Sequence, residues 1–447
     1  MTELAVIGMD AKFSGQDNID RAERAFYQGA NVGTIGKLGC IAETVLSSVA
    51  LLAQTNQLDM TDIAVLLIAD SSNVDALIVE QLTQQCASCE LITELGQALK
   101  QATDLINNQG RAVAVVGINN TATQSSNKTD TAEASAATIS FDETFSGYAG
   151  VNGIASLLIS SVAFACANQC YVYANIKGFA QSSVSAQLSA DNITDTVNTA
   201  LQQAGISAEQ VGLLEVTADS ESALALSEAQ GLMSAYSHDK TLNTALSCAR
   251  SVTGEGECFS QVAGLLKCVI SLHQRYIPAI KDWQQPAETQ MSQWQNSPFY
   301  MPVDARPWFP HADGSAHVAA YSCVTHGYCH VVLTENKLQS ADQSHPLDDV
   351  RSNGYFASSE LALVIVQGNS EAQLRSELET IAGQLVNTDI KQIAADCYAR
   401  TDTDKVYSAV LIAETAEELS KEITLAFAGI SSVFNKDTSE WKTPKGS

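Results

Sequence analysis

The chain has no histidine before His238 and no proline before Pro278, and positive charge is scarce throughout. Without histidine in the first half, any imidazole-assisted nucleophile must borrow His238, His273, His311, His317, His326, His330 or His345. Without proline, everything before Pro278 is free to run as regular strands and helices. Pro278, Pro286, Pro298, Pro302, Pro307 and Pro310 then crowd together, so 278–313 reads as an extended connection laid over a finished core. Lys and Arg number 24 against 50 Asp and Glu, a net charge of -26, which excludes nucleic acid and anionic lipid surfaces as electrostatic partners.

No apolar run reaches the roughly 20 residues of a membrane span. The opening MTELAVIGMDAKF has no basic region ahead of a sustained apolar segment, so neither a span nor a signal peptide is expected, and the protein reads as cytoplasmic with reduced thiols. The lone C-x-x-C of Cys86 and Cys89 has no partner pair at zinc spacing. Cys166 and Cys170 are spaced to share a helix face, and no metal or cofactor is expected. A G-x-S-x-G elbow, a G-x-G-x-x-G after a strand and a P-loop are all missing.

What is present is apolar surface: hydrophobic residues make up 45% of 447, enough for two or three domains with large cores. Strand-like runs (4–9, 63–70, 111–118, 141–148, 155–161, 170–178, 211–218, 241–248, 317–323, 329–335) alternate with helical ones, which predicts α/β layering around a largely parallel sheet. Leu58–Leu67 and Ile206–Leu214 share one pattern, an apolar residue, polar residues and a buried strand, each after an Ala/Leu/Gln-rich helix. That points to a duplicated half. Residues 119–137 and 338–352 read as a surface loop and a linker. Beyond them a small α+β unit is predicted, with strands near 360–368 and 405–414 and capping signatures at Ser370/Gln373 and Thr415/Glu418.

The chain is organised around Ser247–Leu272, a polar Gly-containing turn that runs into a helix. Val262, Leu265, Leu266, Val269 and Ile270 predict one apolar stripe on that helix. Gly254 and Gly256 give the turn the form used to present a reactive group at a helix N-terminus. Asp219, Glu221, Glu255 and Glu257 are spaced so as to line one pocket, though solvated acidic loops are the favoured reading. Cys323, Cys329 and His330 read as packed strand residues.

This stretch resembles the second catalytic-histidine motif of the β-ketoacyl synthases, and the resemblance runs from Leu4 to Glu335 through LAVIGMDAKFSG, FDETFSGYAGVNGIASLLI, RYIPA and HVVLTE. It implies a duplicated thiolase-like fold over residues 1–337, and 338–447 resembles the linker domain between ketosynthase and acyltransferase in modular polyketide synthases. KDWQQPAETQ, NSPFYMPVDARPWFPHADGSAHVAAYSC and GYFASSELAL read like the synthase-like region of the acyltransferase-bearing subunit of bacterial omega-3 polyunsaturated fatty acid synthases.

The same resemblance implies degenerate chemistry. Thr217, within EVTADSESALALSE, stands at the family's first histidine; Glu255 stands at its second, Arg250 at its lysine and Leu91 at its nucleophilic cysteine, with Cys89 out of register. SCVTHGYCHVV lacks the family's paired glycines.

An inert synthase region implies a scaffold for a C-terminal acyltransferase, which KTPKGS would immediately precede, and for other subunits of the complex. The alternatives are a chain-length-factor-like partner of an active ketosynthase, and a residual thioester decarboxylase or hydrolase. Shortening between Asp70 and Leu95 implies a monomer or weak dimer, and Arg250, Lys267, Arg275 and Lys281 are the best candidates for a basic carrier-protein patch, with Lys267 and Arg275 read as solvated helix ends.

Overall fold

Runs of aliphatic residues with no interior breaker make the strands of this chain, and their order shows why two halves are needed. The computed structural model describes residues 3–29, 38–70, 74, 76–120, 139–182, 188–237, 242–311, 313–325, 327–337, 361–385, 389–402, 404–435 and 442–443. They fall into two units, Met1–Gln343 and Ser344–Ser447. Most of the expected surface loop, all of the expected linker, and His238, His326 and His345 lie outside the described residues.

In the larger unit β1 (Leu4–Phe13), α1 (Ile19–Gln28), α2 (Ile41–Thr55), β2 (Ile63–Ile68), α3 (Ala76–Gln85), β3 (Ser88–Ile92), α4 (Leu95–Gln109), β4 (Ala112–Asn119) and β5 (Gly153–Ser161) form the first half. After α5 (Val162–Ala167), the second half is β6 (Ala174–Ser182), α6 (Ala190–Ala204), β7 (Leu213–Val216), α7 (Ser222–Ala235), β8 (Thr244–Ser247), α8 (Arg250–Thr253) and α9 (Cys258–Gln274). It continues through β9 (Tyr276–Ile277), α10 (Met291–Gln295), β10 (Phe299–Tyr300) and β11 (Arg306–Pro307) to β12 (Val318–Val324) and β13 (Tyr328–Thr334).

Among the described residues the main sheet has 11 strands in the order β10-β8-β7-β12-β13-β6-β1-β5-β4-β2-β3. Read outward from the central β1·β6 pair, the first half runs β1, β5, β4, β2, β3 and the second β6, β13, β12, β7, β8, the same order, with the short β10 added at the second half's edge. The pairings also repeat: antiparallel, antiparallel, parallel, parallel. The short repeat seen in the sequence is the entry to β2 and to β7, each through one 3-10 turn, Met60–Asp62 and Ala208–Gln210.

β1, β2, β4 and the inner part of β5 are buried on both faces, as a sheet covered on each side requires. α2 and α5 cover the first half around Val49, Leu52, Val65 and Leu158. α6 and α7 cover the second around Val197, Leu214, Leu232 and Leu246. α9 lies between: every residue from Cys258 to Leu272 is buried, so the predicted single stripe is a helix enclosed on all sides. Gly264 makes this possible, since a Cβ there would lie 2.5 Å from the Tyr321 ring.

Four readings of the fold need correction. The main sheet is mixed rather than largely parallel, because β1·β5, β4·β5, β6·β13, β12·β13 and the central β1·β6 pair are antiparallel. Residues 141–148 form turns rather than a strand, tied down by an isolated bridge from Asp142 to Pro286. α5 ends at Ala167, so Cys166 and Cys170 share no helix face. Leu91 belongs to a strand, not a turn, because its backbone pairs in parallel with Leu67 at the sheet edge.

The smaller unit pairs Ala362–Gly368 antiparallel with Tyr407–Ala413 and packs helices Glu371–Gln384, Ile390–Ala399 and Ala416–Asn435 on them, an α+β layer. Both predicted caps form, Gln373 N donating to Ser370 Oγ at 3.3 Å and Glu418 N to Thr415 Oγ1 at 3.2 Å. No described helix is long and apolar enough to cross a membrane.

Candidate functional site

At the ends of the strands in the larger unit, the N-termini of α4 and α9, the segment after β7 and the β12–β13 turn enclose a cavity of about 690 Å³. That is a size suited to a small ligand. Of the four residues singled out in the sequence, Arg250 and Glu255 line it and Thr217 lies behind its wall, bonded to Val324; each of these three is already engaged.

Thr217 is buried. Its Oγ1 donates to Ser322 O at 2.9 Å and accepts from Val324 N at 2.8 Å. Its backbone N–H and that of Ala218 donate to the Glu228 carboxylate at 3.0 and 2.8 Å, which holds Ala218 at φ 46°. A side chain used in this way brackets the segment after β7 to β12.

Arg250 projects from the first turn of α8 and lies 2.7 Å from Glu255 Oε2 and 3.1 Å from Asp219 Oδ2. Burial works against the guanidinium charge, but the two carboxylates raise its pKa, so it stays charged. Burial likewise raises the Glu255 carboxyl, with Arg250 opposing. Glu255 is fixed by its backbone as well: its N–H donates to Ala149 O and its carbonyl accepts from Val151 N, both at 2.8 Å. Gly254, at φ 87°, is required there, because a Cβ would lie 2.5 Å from Ala149 O.

Leu91 is elsewhere. It is exposed on edge strand β3, and the residues that reach the cavity at the head of α4 are Thr93 and Glu94. The first free N–H of that helix is taken: Leu95 N donates to Gln261 Oε1 at 2.8 Å, while Gln261 Nε2 donates to Thr93 O at 3.1 Å. Two backbone donors beside the cavity, Leu95 N and Val324 N, are thus satisfied by side chains. An acyl-transfer site instead needs such donors free and aimed at a developing oxyanion.

Two thiols singled out by position are both held protonated. Cys89 is in the core, and burial pushes its thiol up to about 12. Cys258, at the N-terminus of α9, does line the cavity, but burial and then Glu257 push it up to about 11. Among the described residues no cluster of three His, Cys, Asp or Glu could hold a metal ion.

Asp219, Glu221, Glu255 and Glu257 all line this one cavity with Asp70 and Glu94, where the sequence favoured solvated loops. Of the four candidates for a basic patch, Lys281 is exposed and the other three are engaged. Lys267 is wholly buried against Glu215 at 3.5 Å, Arg250 is neutralised, and Arg275 pairs with Glu335 at 3.1 Å. Sequence reasoning missed Gln261 and Glu228. The one signal for Gln261 was a polar residue in the first turn of an otherwise apolar helix.

Residues 173–283 match the family described as Beta-ketoacyl synthase, C-terminal domain. No curated protein matches the chain. Among solved structures it is similar to the ketosynthase from module 6 of the bacillaene synthase of Bacillus subtilis 168, with TM-score 0.65, 16% identity, and 98% of this chain and 90% of that one covered. An oxazolomycin ketosynthase domain from Streptomyces albus JA3453 gives TM-score 0.62 and 19% identity over 76% of this chain and 97% of its own. The ketosynthase from module 1 of the Bacillus amyloliquefaciens FZB42 bacillaene synthase gives 0.65 and 13% over 98% and 92%. The chain has the mixed α/β, thiolase-like ketosynthase fold of the modular polyketide synthase type.

Proposed function

We propose that this chain is a ketosynthase-fold scaffold without condensing chemistry, followed by an adaptor domain, from the acyltransferase-bearing subunit of a polyunsaturated fatty acid synthase. The observation that supports it most is the double occupation at the cavity, where Thr217 and Gln261 side chains take the N–H groups of Val324 and Leu95. Arg250, meanwhile, is locked between Asp219 and Glu255. None of the residues at the family's catalytic positions supplies an imidazole base or an activated thiol. The role that remains is to hold a C-terminal acyltransferase and to meet other subunits of the complex.

The thioester decarboxylase or hydrolase alternative needs an acyl chain in this cavity, and its carboxylates disfavour one; the chain-length-factor alternative places the chain in an active partner's tunnel. The reading is tested by incubating the chain with acyl and malonyl thioesters. Condensation, decarboxylation and hydrolysis are all expected at the rate of the buffer blank, and turnover abolished by Thr217→Val or Arg250→Ala overturns it.

Carrier proteins are acidic, and a chain of net charge -26 repels them. Of the basic side chains that could offset this, Arg250, Lys267 and Arg275 are buried or paired, and Lys281 is exposed. Calorimetric titration with a cognate carrier protein at low salt is expected to give a Kd weaker than about 100 μM, on the order of -5.5 kcal/mol. Micromolar affinity abolished by Arg250→Glu would show that the cavity still serves carrier-bound chains.

A further inference from the structure

We propose that Glu228, Ser322, Tyr328, His330 and Tyr236 form one buried hydrogen-bond chain in which the proton on Glu228 sets the tautomer of His330, a pH-responsive element behind the cavity wall. All five side chains are buried. Ser322 Oγ lies 2.7 Å from Glu228 Oε1 and 3.0 Å from Tyr328 Oη. Tyr328 Oη is 3.2 Å from His330 Nδ1, and His330 Nε2 is 3.0 Å from Tyr236 Oη.

The direction of the chain follows from the donor inventory. An ionised Glu228 only accepts, so Ser322 must donate to it, Tyr328 must donate to Ser322, and His330 must donate from Nδ1 to Tyr328. Nε2 is then the acceptor for Tyr236. A protonated Glu228 reverses every step. Its O–H turns to Ser322, whose hydrogen turns to Tyr328, whose hydrogen turns to Nδ1, and the imidazole proton moves to Nε2 and faces Tyr236. One proton is taken up, none is released, and the ring stays neutral throughout.

The surroundings allow only these two neutral ring states. His330 faces Tyr236 and Tyr328, neither a carboxylate, and burial pushes its pKa down to about 3. Glu228 faces the Thr217 and Ala218 N–H groups after β7, Ser322 and Cys323 on β12, Tyr328 on β13, and Arg250 on α8, itself held by Asp219 and Glu255. Burial outweighs those hydrogen bonds and Arg250 and pushes Glu228 up to about 7. Because this lies above the ordinary 4.5, the folded state holds the proton longer than the unfolded one. This group's contribution to stability therefore falls as pH rises from 4.5 to about 7 and is level beyond. Protonation also weakens the two bonds that bracket Thr217 and Ala218, so the cavity wall shares in the change.

The test is nitrogen-15 NMR of the full chain labelled at histidine, with the His330 signals identified by their loss in His330→Gln. At pH 8.5 the Nδ1–H tautomer is expected, passing to Nε2–H on acidification with a midpoint near 7. Glu228→Gln should abolish that pH dependence. Where Glu228→Gln does not fold, Tyr328→Phe cuts the chain one link on and should abolish it equally. An Nε2–H ring at pH 8.5, a ring that becomes imidazolium between pH 5 and 9, or a tautomer change that survives the cut chain overturns the proposal.

Discussion

Lys267→Ala is expected to lower the stability of the larger unit by about 3–5 kcal/mol, the cost of leaving a buried charge without its partner. Lys267 sits in the middle of α9 with its side chain at 0% exposure, and its Nζ is 3.5 Å from Glu215 Oε2, itself 1% exposed. Burial drives the Glu215 carboxyl upward, and Lys267 is the main force opposing that. Without the lysine, Glu215 must take up a proton or stand ionised in an apolar interior. Glu215 also accepts a hydrogen bond from Ala249 N, immediately before Arg250, so the pair sets the segment that carries the cavity's guanidinium. Lys267→Met combined with Glu215→Gln removes both charges and keeps an acceptor for Ala249, and is expected to recover most of the loss. Urea unfolding reads both variants. A Lys267→Ala cost within about 0.5 kcal/mol, the range of an ordinary surface change, would mean that Lys267 is solvated.

That lysine also shows where sequence reading stops. The α/β class, the duplication and the small C-terminal unit were legible because periodicity and repeated apolar runs survive in single residues: Ile63–Ile68 and Leu213–Val216 read as buried strands from their side chains alone. The positions of Thr217, Arg250 and Glu255 could be read by register with a known motif. Lys267 could not. A lysine in a helix reads as its solvated face, and only the enclosure of α9 on all sides, a tertiary fact, pulls it inward. Leu91 failed for a similar reason, since the edge strand is defined by pairing with β2, and counting back from β4 cannot see where that pairing ends. The acidic cavity was visible only as spacing. Asp219 and Glu221 lie far in sequence from Glu255 and Glu257, and it is Arg250, bonded to Asp219 and Glu255, that draws the two loops together.

The second large effect is chemical: a condensing enzyme is acylated stoichiometrically on its cysteine, and this chain is expected to take up no acyl group. Acylation needs a thiolate poised at a helix N-terminus with donors free to receive the oxyanion. Here the head of α4 presents Glu94 and Thr93, Leu95 N is capped by Gln261, and Val324 N is capped by Thr217. Cys258, which lines the cavity, is held protonated at about 11, and Cys89, in the core, at about 12. The carboxylates around Cys258 oppose its thiolate, and any anionic thioester meets the same field. Intact-protein mass spectrometry after incubation with excess acyl-CoA at pH 7.5 puts the central claim to the test most directly. The account predicts a single species at the mass of the unmodified chain, and a stoichiometric acyl adduct that maps to Cys89 or Cys258 would contradict it.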